Sequence, residues 1–130
     1  MEDKRVILLV EDNEMNRDML SRRLARKGFE VTCATDGVQG VEAGLANPPD
    51  LILMDLGMPL LDGWEAARRL RSEDRTKQIP IIALTAHAME TDRRRAIEYG
   101  FNGFASKPID FQKLLQLMHE VVNATAEPAS

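Results

Sequence analysis

The sequence predicts a doubly wound α/β fold, in which helices cover both faces of a parallel β-sheet. Short, near-continuous apolar runs recur along the chain, and such runs are typical of parallel strands that are buried on both faces. Segments with apolar residues at three- and four-residue spacing lie between them, and this spacing is typical of amphipathic helices. Because strands and helices alternate, right-handed crossovers are expected to connect the strands.

Five apolar segments are predicted to be the strands of this sheet. In chain order they are RVILLV at 5–10, FEVTCA at 29–34, LILM at 51–54, IPIIAL at 79–84 and the shorter GFAS at 103–106. Gly28 and Gly100 each follow a helical segment and precede a strand, as the left-handed end of a helix requires. In the last helix, Asp110 stands where an N-cap belongs. The apolar stripe that follows it consists of Phe111, Leu114, Leu115, Met118, Val121 and Val122.

Length and composition indicate one globular domain. The chain has 130 residues, of which 44% are hydrophobic and 29% are charged. We expect residues 1–124 to form the domain and residues 125–130 to form a disordered tail. The net charge of -4 gives no general attraction to nucleic acid or to an anionic membrane. A single cysteine and the lack of a signal-peptide or membrane-spanning pattern are typical of a cytoplasmic protein.

Chemically active side chains follow four of the predicted strands. Glu11 and Asp12 come after the first strand, Asp55 after the third, Thr85 after the fourth and Lys107 after the fifth. The carboxyl ends of parallel strands meet at one edge of an open sheet, where ligands bind. The sequence therefore predicts a crevice that brings together three carboxylates, one hydroxyl and one ammonium group.

This set of side chains indicates a hard cation and a phosphoryl group. Three clustered carboxylates repel one another unless a cation lies among them. Oxygen ligands completed by water suit Mg²⁺, and the lack of nearby cysteine or paired histidine argues against zinc. A phosphoryl group that reached Asp55 would meet the cation, Lys107 and Thr85, which supply the positive charge and donors that phosphoryl transfer needs. Since a carboxylate can accept phosphate covalently, Asp55 is predicted to be the nucleophile.

Four motifs together resemble the receiver domain of two-component response regulators. They are LLVEDNEMNRDML, LILMDLGMPLLDGWE, IIALTAHAM and FASKPID, in the order and spacing of that family, and they cover essentially the whole chain. The resemblance implies a five-stranded, flavodoxin-like sheet in the order 2-1-3-4-5. It also implies that Asp55 accepts a phosphoryl group from a histidine kinase or a histidine phosphotransfer protein, and that the chain then binds a downstream protein target.

The resemblance also assigns roles to individual residues. Asp12, Asp55 and the backbone carbonyl of Gly57 would ligate Mg²⁺, whereas Glu11 would act largely through water. Lys107 would pair with Asp55 and later with the phosphoryl group, and the peptide bond that joins it to Pro108 would be cis.

In the receiver family, four further positions affect switching and the lifetime of the phosphoryl group. Thr85 would turn towards the phosphoryl group, and Phe104 would rotate into the space that it leaves. The readout surface would then be the fourth helix with the fifth strand and helix. Gly57 and His87 depart from the common pattern at two positions that flank the entrance to the site, so both are candidates for modulating hydrolysis.

Alternative functions remain open on the sequence alone. The chain is interpreted as a signalling receiver, a monomer or weak dimer that catalyses only its own phosphorylation and dephosphorylation. A phosphatase with an aspartyl-phosphate intermediate would need a second aspartate two residues after the nucleophile, where this chain has Gly57. A degenerate receiver would have lost a site residue, and none is lost. We expect a free-standing receiver, although a receiver excised from a hybrid histidine kinase would carry the same motifs.

Other conspicuous residues have ordinary structural interpretations. Met15 and Met19, four residues apart on the first helix, are expected to pack on the core. Cys33 lies in a predicted strand and is expected to be an inert core thiol. The arginines at 93–95 are expected to form a solvated helix face.

Overall fold

A computed structural model describes residues 5–58, 61–86 and 90–126 of the chain. Within these residues, five strands alternate with five helices. The strands are β1 (Val6–Val10), β2 (Glu30–Ala34), β3 (Leu51–Asp55), β4 (Ile81–Thr85) and β5 (Gly103–Ser106). The helices are α1 (Glu14–Arg26), α2 (Gly37–Ala46), α3 (Gly63–Arg71), α4 (Glu90–Glu98) and α5 (Phe111–Ala126). All five predicted strands are confirmed, with boundaries that move by at most two residues.

The five strands form one parallel sheet in the order β2-β1-β3-β4-β5. This order and the doubly wound fold class are therefore confirmed. The central strands β3 and β4 are buried along their whole length, which explains why both are almost purely apolar. One apolar core lies on each face of the sheet, the first beneath α2, α3 and α4, and the second beneath α1 and α5.

Local side chains define where the helices begin and end. Asn13, Asp36 and Asp62 are extended N-cap residues, and each side chain accepts a hydrogen bond from a backbone N–H in the first turn. Gly28 and Gly100 follow α1 and α4 with φ of 97° and 95°, which confirms their predicted left-handed conformation. Within the described residues, no helix is long and apolar enough to span a membrane.

The carboxyl-terminal helix begins as predicted but ends later. Asp110 accepts a hydrogen bond from the backbone N–H of Lys113 (3.2 Å), so it acts as the N-cap. Helix α5 continues to Ala126, two residues into the predicted tail. Thr125 and Ala126 do not stop a helix, and Pro128, which cannot continue one, comes only later. Residues 127–130 lie outside the described residues.

Three predictions of burial were wrong. Met15 and Met19 are 81% and 54% exposed, because α1 faces the sheet with Leu20 and Leu24. Successive residues on a helix are turned by about 100°, so Met19 points well away from that buried pair. Cys33 is exposed because β2 is an edge strand, where the sheet is covered less completely than at β3 and β4.

Arg71, the last residue of α3, joins two loops at the far end of the sheet. Its guanidinium donates to the backbone carbonyls of Gly100 (2.9 Å) and Ile79 (2.6 Å) and to the side-chain carbonyl of Asn102. The same Asn102 oxygen accepts the backbone N–H of Ile81 at the start of β4. These hydrogen bonds fix the α4–β5 connection against α3 and β4.

Candidate functional site

The predicted site residues lie together at the carboxyl edge of the sheet. Asp55 and Thr85 are the last residues of β3 and β4, and Lys107 directly follows β5. Strand register aligns these ends, since Asp55 pairs with Leu84 and Thr85 pairs with Ser106. The backbone N–H of Lys107 also donates to the Thr85 carbonyl (2.6 Å), which extends the β4–β5 pairing by one residue.

Lys107 bridges two of the carboxylates. Its Nζ lies 3.2 Å from Glu11 Oε1 and 3.3 Å from Asp55 Oδ1. Glu11 is 1% exposed and Asp55 is 6% exposed, so both carboxylates are largely removed from water. Thr85, at 5% exposed, is buried beside them at the tip of β4. The side chains that follow strands β1, β3, β4 and β5 thus lie together in the folded chain, as the sequence predicts.

The loop after β1 holds Glu11 in place. Its backbone N–H donates to the Ala34 carbonyl (3.0 Å), and its Oε2 accepts the backbone N–H of Asn13 (3.1 Å). Arg17, one turn into α1, donates to the Glu11 carbonyl (2.9 Å). With both its backbone and its carboxylate fixed, Glu11 stays directed into the site, whereas the next residue, Asp12, is exposed at its rim.

The site has an excess of negative charge. Burial, followed by repulsion from Asp55, raises the pKa of Glu11 from 4.5 to about 7. For Lys107, burial acts to lower the pKa, but the charges of Glu11 and Asp55 outweigh it, so the pKa is raised. The ammonium therefore stays protonated, yet it does not fully offset the carboxylates.

The carboxylates are grouped closely enough to hold one metal ion. One oxygen from each of Glu11, Asp12 and Asp55 lies within 4.8 Å of the others. The donor set contains oxygen alone, and a cation would offset the repulsion by Asp55 that, after burial, raises the pKa of Glu11. Both properties fit a hard divalent ion such as Mg²⁺, which binds a few carboxylates and keeps several waters.

An open pocket of about 370 Å³ lies above Asp55. It is lined by Asp55, Leu56, Gly57, Trp64, Thr85, Ala86, Asp92, Arg95 and Lys107. A side chain added at Gly57 would have no atom within 4 Å, so this glycine leaves one side of the entrance unobstructed. The pocket can admit a group the size of phosphate to the Asp55 carboxylate.

Two backbone features lie next to Asp55 and Lys107. The peptide bond between Lys107 and Pro108 is cis, as the family resemblance implies. Gly63, the first residue of α3, packs against the backbone at the end of β3. A Cβ at this position would overlap the carbonyl oxygen of Asp55, so only glycine allows α3 to begin here.

Two other residues were predicted to belong to the site, Phe104 and His87. Phe104 on β5 is half-buried, and the guanidinium carbon of Arg93 lies 5.2 Å from the centre of its ring. His87 lies outside the described residues.

Sequence reasoning did not assign to the site several residues that line the pocket, among them the aromatic and charged side chains of Trp64, Asp92 and Arg95. Arg95 was grouped with its arginine neighbours as a solvated helix face, and it is indeed exposed. Its position over Trp64 depends on how α3 and α4 pack, which hydrophobic spacing does not reveal. One available signal was that Trp64 is the single tryptophan of the chain and directly follows the Asp62–Gly63 start of α3.

Comparisons with known proteins agree with this geometry. The hybrid signal transduction histidine kinase I of Dictyostelium discoideum is 37% identical over 124 residues, which cover 90% of this chain but only 7% of that protein. The polar-differentiation response regulator DivK of Brucella anthropi is 33% identical over 110 residues, which cover 85% of this chain and 89% of DivK.

A solved structure shows the same fold with a metal ion. The receiver domain of the sensor histidine kinase PA1611 from Pseudomonas aeruginosa, with magnesium coordinated in its active-site cleft, has a TM-score of 0.86 and 36% sequence identity. The alignment covers 93% of this chain and 99% of that domain. The family model described as the response regulator receiver domain matches residues 7–119. The chain therefore belongs to the response regulator receiver domain family.

Proposed function

We propose that this chain is a phospho-accepting receiver in which Asp55 takes a phosphoryl group from a phosphohistidine donor. The observation that carries this proposal is the position of Asp55. Its carboxylate ends a fully buried strand, lies 3.3 Å from the Lys107 ammonium and forms the floor of an open pocket. Burial of a charged carboxylate costs free energy, which is hard to explain for a residue without a chemical role. Because the Asp55 carboxylate faces an open pocket, this cost supports a role for Asp55 as a nucleophile.

The chain's own groups support each part of the transfer. An oxygen of Asp55 attacks phosphorus, so an O–P bond forms and the P–N bond of the donor breaks. The electron pair of that bond leaves on the imidazole nitrogen and restores the donor histidine. Lys107 lies where it can bind a phosphoryl oxygen, and Thr85 at the tip of β4 can donate to another.

Mg²⁺ is proposed as the cofactor of this transfer. Asp12, Asp55 and the carbonyl of Gly57 would hold the ion, and Glu11 would reach it through water. When bound, the ion supplies positive charge that screens the carboxylates and the incoming phosphoryl oxygens. The close grouping of the three carboxylates and the raised pKa of Glu11 support this assignment.

The exposed methionines of α1 support a docking site for the phosphodonor protein. A groove of about 450 Å³ runs beside the active site and is lined in part by Met19, Pro108 and Phe111. Met15 projects into solvent one turn before Met19 on the same helix. We propose that the histidine kinase, or a histidine phosphotransfer protein, packs on this apolar surface while its histidine reaches Asp55.

The proposed output is a change in protein binding at α4, β5 and α5. Thr85 would move towards the phosphoryl group, and Phe104 would rotate towards the vacated space. The half-buried state of Phe104 supports two packings of similar energy, since its ring is neither fully enclosed nor fully solvated. Both a free-standing regulator and a receiver within a longer cytoplasmic signalling protein can use such a switch.

The deciding experiment is labelling with a small phosphodonor. Acetyl phosphate with Mg²⁺ should label Asp55, with about one phosphate per chain, because one nucleophile is present. Asp55→Asn should abolish the labelling, and the exposed Asp18→Asn is the matched control that should keep it. Labelling at another residue, or sustained turnover of a phosphate ester, would overturn the proposal in favour of an enzyme.

A further inference from the structure

Arg95 stands at the edge of the Asp55 pocket. Its guanidinium carbon lies 4.3 Å from the centre of the Trp64 ring and 5.2 Å from the centre of the Tyr99 ring. Within the part of the chain that the structure describes, none of the ion pairs involves Arg95. Both Arg95 and Trp64 line the pocket whose floor is Asp55.

The aromatic rings beneath Arg95 are packed against the core, whereas Arg95 itself lies at the surface. Trp64 packs edge-to-face on Tyr99 at 5.4 Å and on Phe101 at 5.7 Å, and its ring belongs to the apolar layer between α3 and α4. The Arg95 side chain is exposed. A cation that rests on an aromatic ring in water is held weakly, so a stronger anion nearby can draw it away at little cost.

Phosphorylation of Asp55 would place such an anion in the pocket that Arg95 also lines. With a divalent cation and Lys107, the three carboxylates of the site are formally neutral. An acyl phosphate on Asp55 adds about one negative charge, and its oxygens extend from the floor into the pocket. A guanidinium matches phosphate oxygens in shape as well as in charge.

We propose that Arg95 is a second phosphoryl-binding cation, which leaves the Trp64 ring and pairs with the phosphoryl group on Asp55 from the side opposite Lys107. This inference rests on the proposed phosphorylation of Asp55. Arg95 belongs to α4, so its movement would connect phosphorylation to that helix without passing through Thr85. Asp92, one turn earlier on the same helix, also lines the pocket and would oppose the phosphoryl charge.

Trp64 provides the reporter for this movement, because it is the single tryptophan of the chain. Beryllofluoride, which mimics an acyl phosphate, would be titrated into the full chain at fixed ionic strength and saturating Mg²⁺. Tryptophan emission and, separately, calorimetric affinity would be measured. The test variant is Arg95→Met, and Arg95→Lys keeps the positive charge. The control is Arg94→Met, which makes the same change at an exposed neighbour outside the pocket.

The expected result separates Arg95 from its neighbour. Beryllofluoride should change the Trp64 emission of the wild type and Arg94→Met, whereas Arg95→Met should show no such change. Arg95→Met should also bind beryllofluoride about three- to fivefold more weakly, the effect expected of one partly exposed charge pair. Arg95→Lys should restore most of that affinity.

Two results would overturn the inference. Equal affinity in Arg95→Met and the wild type would show that Arg95 does not reach the phosphoryl group. Equal weakening in Arg95→Met and Arg94→Met would show only a general effect of positive charge on α4. Acetyl phosphate labelling keeps these results distinct from failure of the proposed function. A wild-type chain that neither binds beryllofluoride nor accepts phosphate at Asp55 overturns both proposals.

Discussion

Replacement of Glu11 by glutamine should stabilise the metal-free chain at alkaline pH. The pKa of Glu11 is raised from 4.5 to about 7 in the folded state by burial and by Asp55. A carboxyl group with a raised pKa holds its proton more tightly when folded, so the folded state loses stability as pH rises through this interval. At about 1.4 kcal/mol for each unit of pKa, the full cost is about 3 kcal/mol above pH 7 and vanishes below pH 4.5.

Glu11→Gln removes this titration and preserves the shape of the side chain. Its amide oxygen can still accept the Asn13 N–H, and Lys107 keeps Asp55 as a partner. The unfolding free energy of Glu11→Gln, minus that of the wild type, should therefore rise by about 2–3 kcal/mol between about pH 5 and pH 8 in the presence of a chelator. Urea denaturation followed by circular dichroism at each pH measures this difference.

Two comparisons establish that the effect comes from the carboxylate cluster. Glu42→Gln makes the same chemical change at an exposed position on α2 and should give no comparable rise. Saturating Mg²⁺ should reduce or reverse the advantage of Glu11→Gln, because the ion stabilises the charged carboxylate of the wild type. A difference that stays flat from acid to alkaline pH would refute the reasoning, since Glu11 would then carry no penalty for its charge.

Three further changes test the ion, the docking surface and the far end of the sheet. Mg²⁺ should raise the melting temperature of the wild type but hardly that of Asp12→Ala combined with Asp55→Ala; equal shifts would place the ion elsewhere. Met15→Asp should slow phosphotransfer from the cognate donor protein and leave labelling by acetyl phosphate unchanged, whereas equal slowing would contradict a docking role. Arg71→Met should lower the unfolding free energy in urea by about 2–4 kcal/mol, because it leaves several partly buried carbonyls unpaired. The exposed Arg69→Met should stay within about 0.5 kcal/mol of the wild type, and a similar loss in both variants would contradict the role of Arg71.

The strands and the members of the site were predictable because they depend on local patterns. Apolar runs such as LILM at 51–54 occur where a strand is covered on both faces, and Asp55 interrupts that run at the last residue of the strand. Parallel topology then brings distant residues to one edge without any knowledge of their contacts. Glu11, Asp55 and Lys107 were therefore placed together from sequence alone, and their contacts at 3.2 and 3.3 Å agree with that placement.

Burial at the margins of the fold was less predictable. Met15 and Met19 have the spacing of a buried pair, but Leu20 and Leu24 occupy the face of α1 that meets the sheet. Spacing identifies a stripe on a helix and does not decide between two competing stripes. Cys33 was misjudged for a related reason, since the position of a strand at the edge of a sheet depends on topology rather than on its own composition.

Position 63 would resemble an active-site residue in a saturation mutagenesis screen, although glycine has no functional group. Any side chain at Gly63 would press on the carbonyl of Asp55 and displace Asp55 together with the start of α3. On the proposed function, an alanine variant would accept phosphate poorly at Asp55, even though every side chain of the site remained. The positions that tolerate no substitution would thus extend from Asp55 into α3. At position 63 the cause would be close packing of the backbone and not a chemical role of the residue.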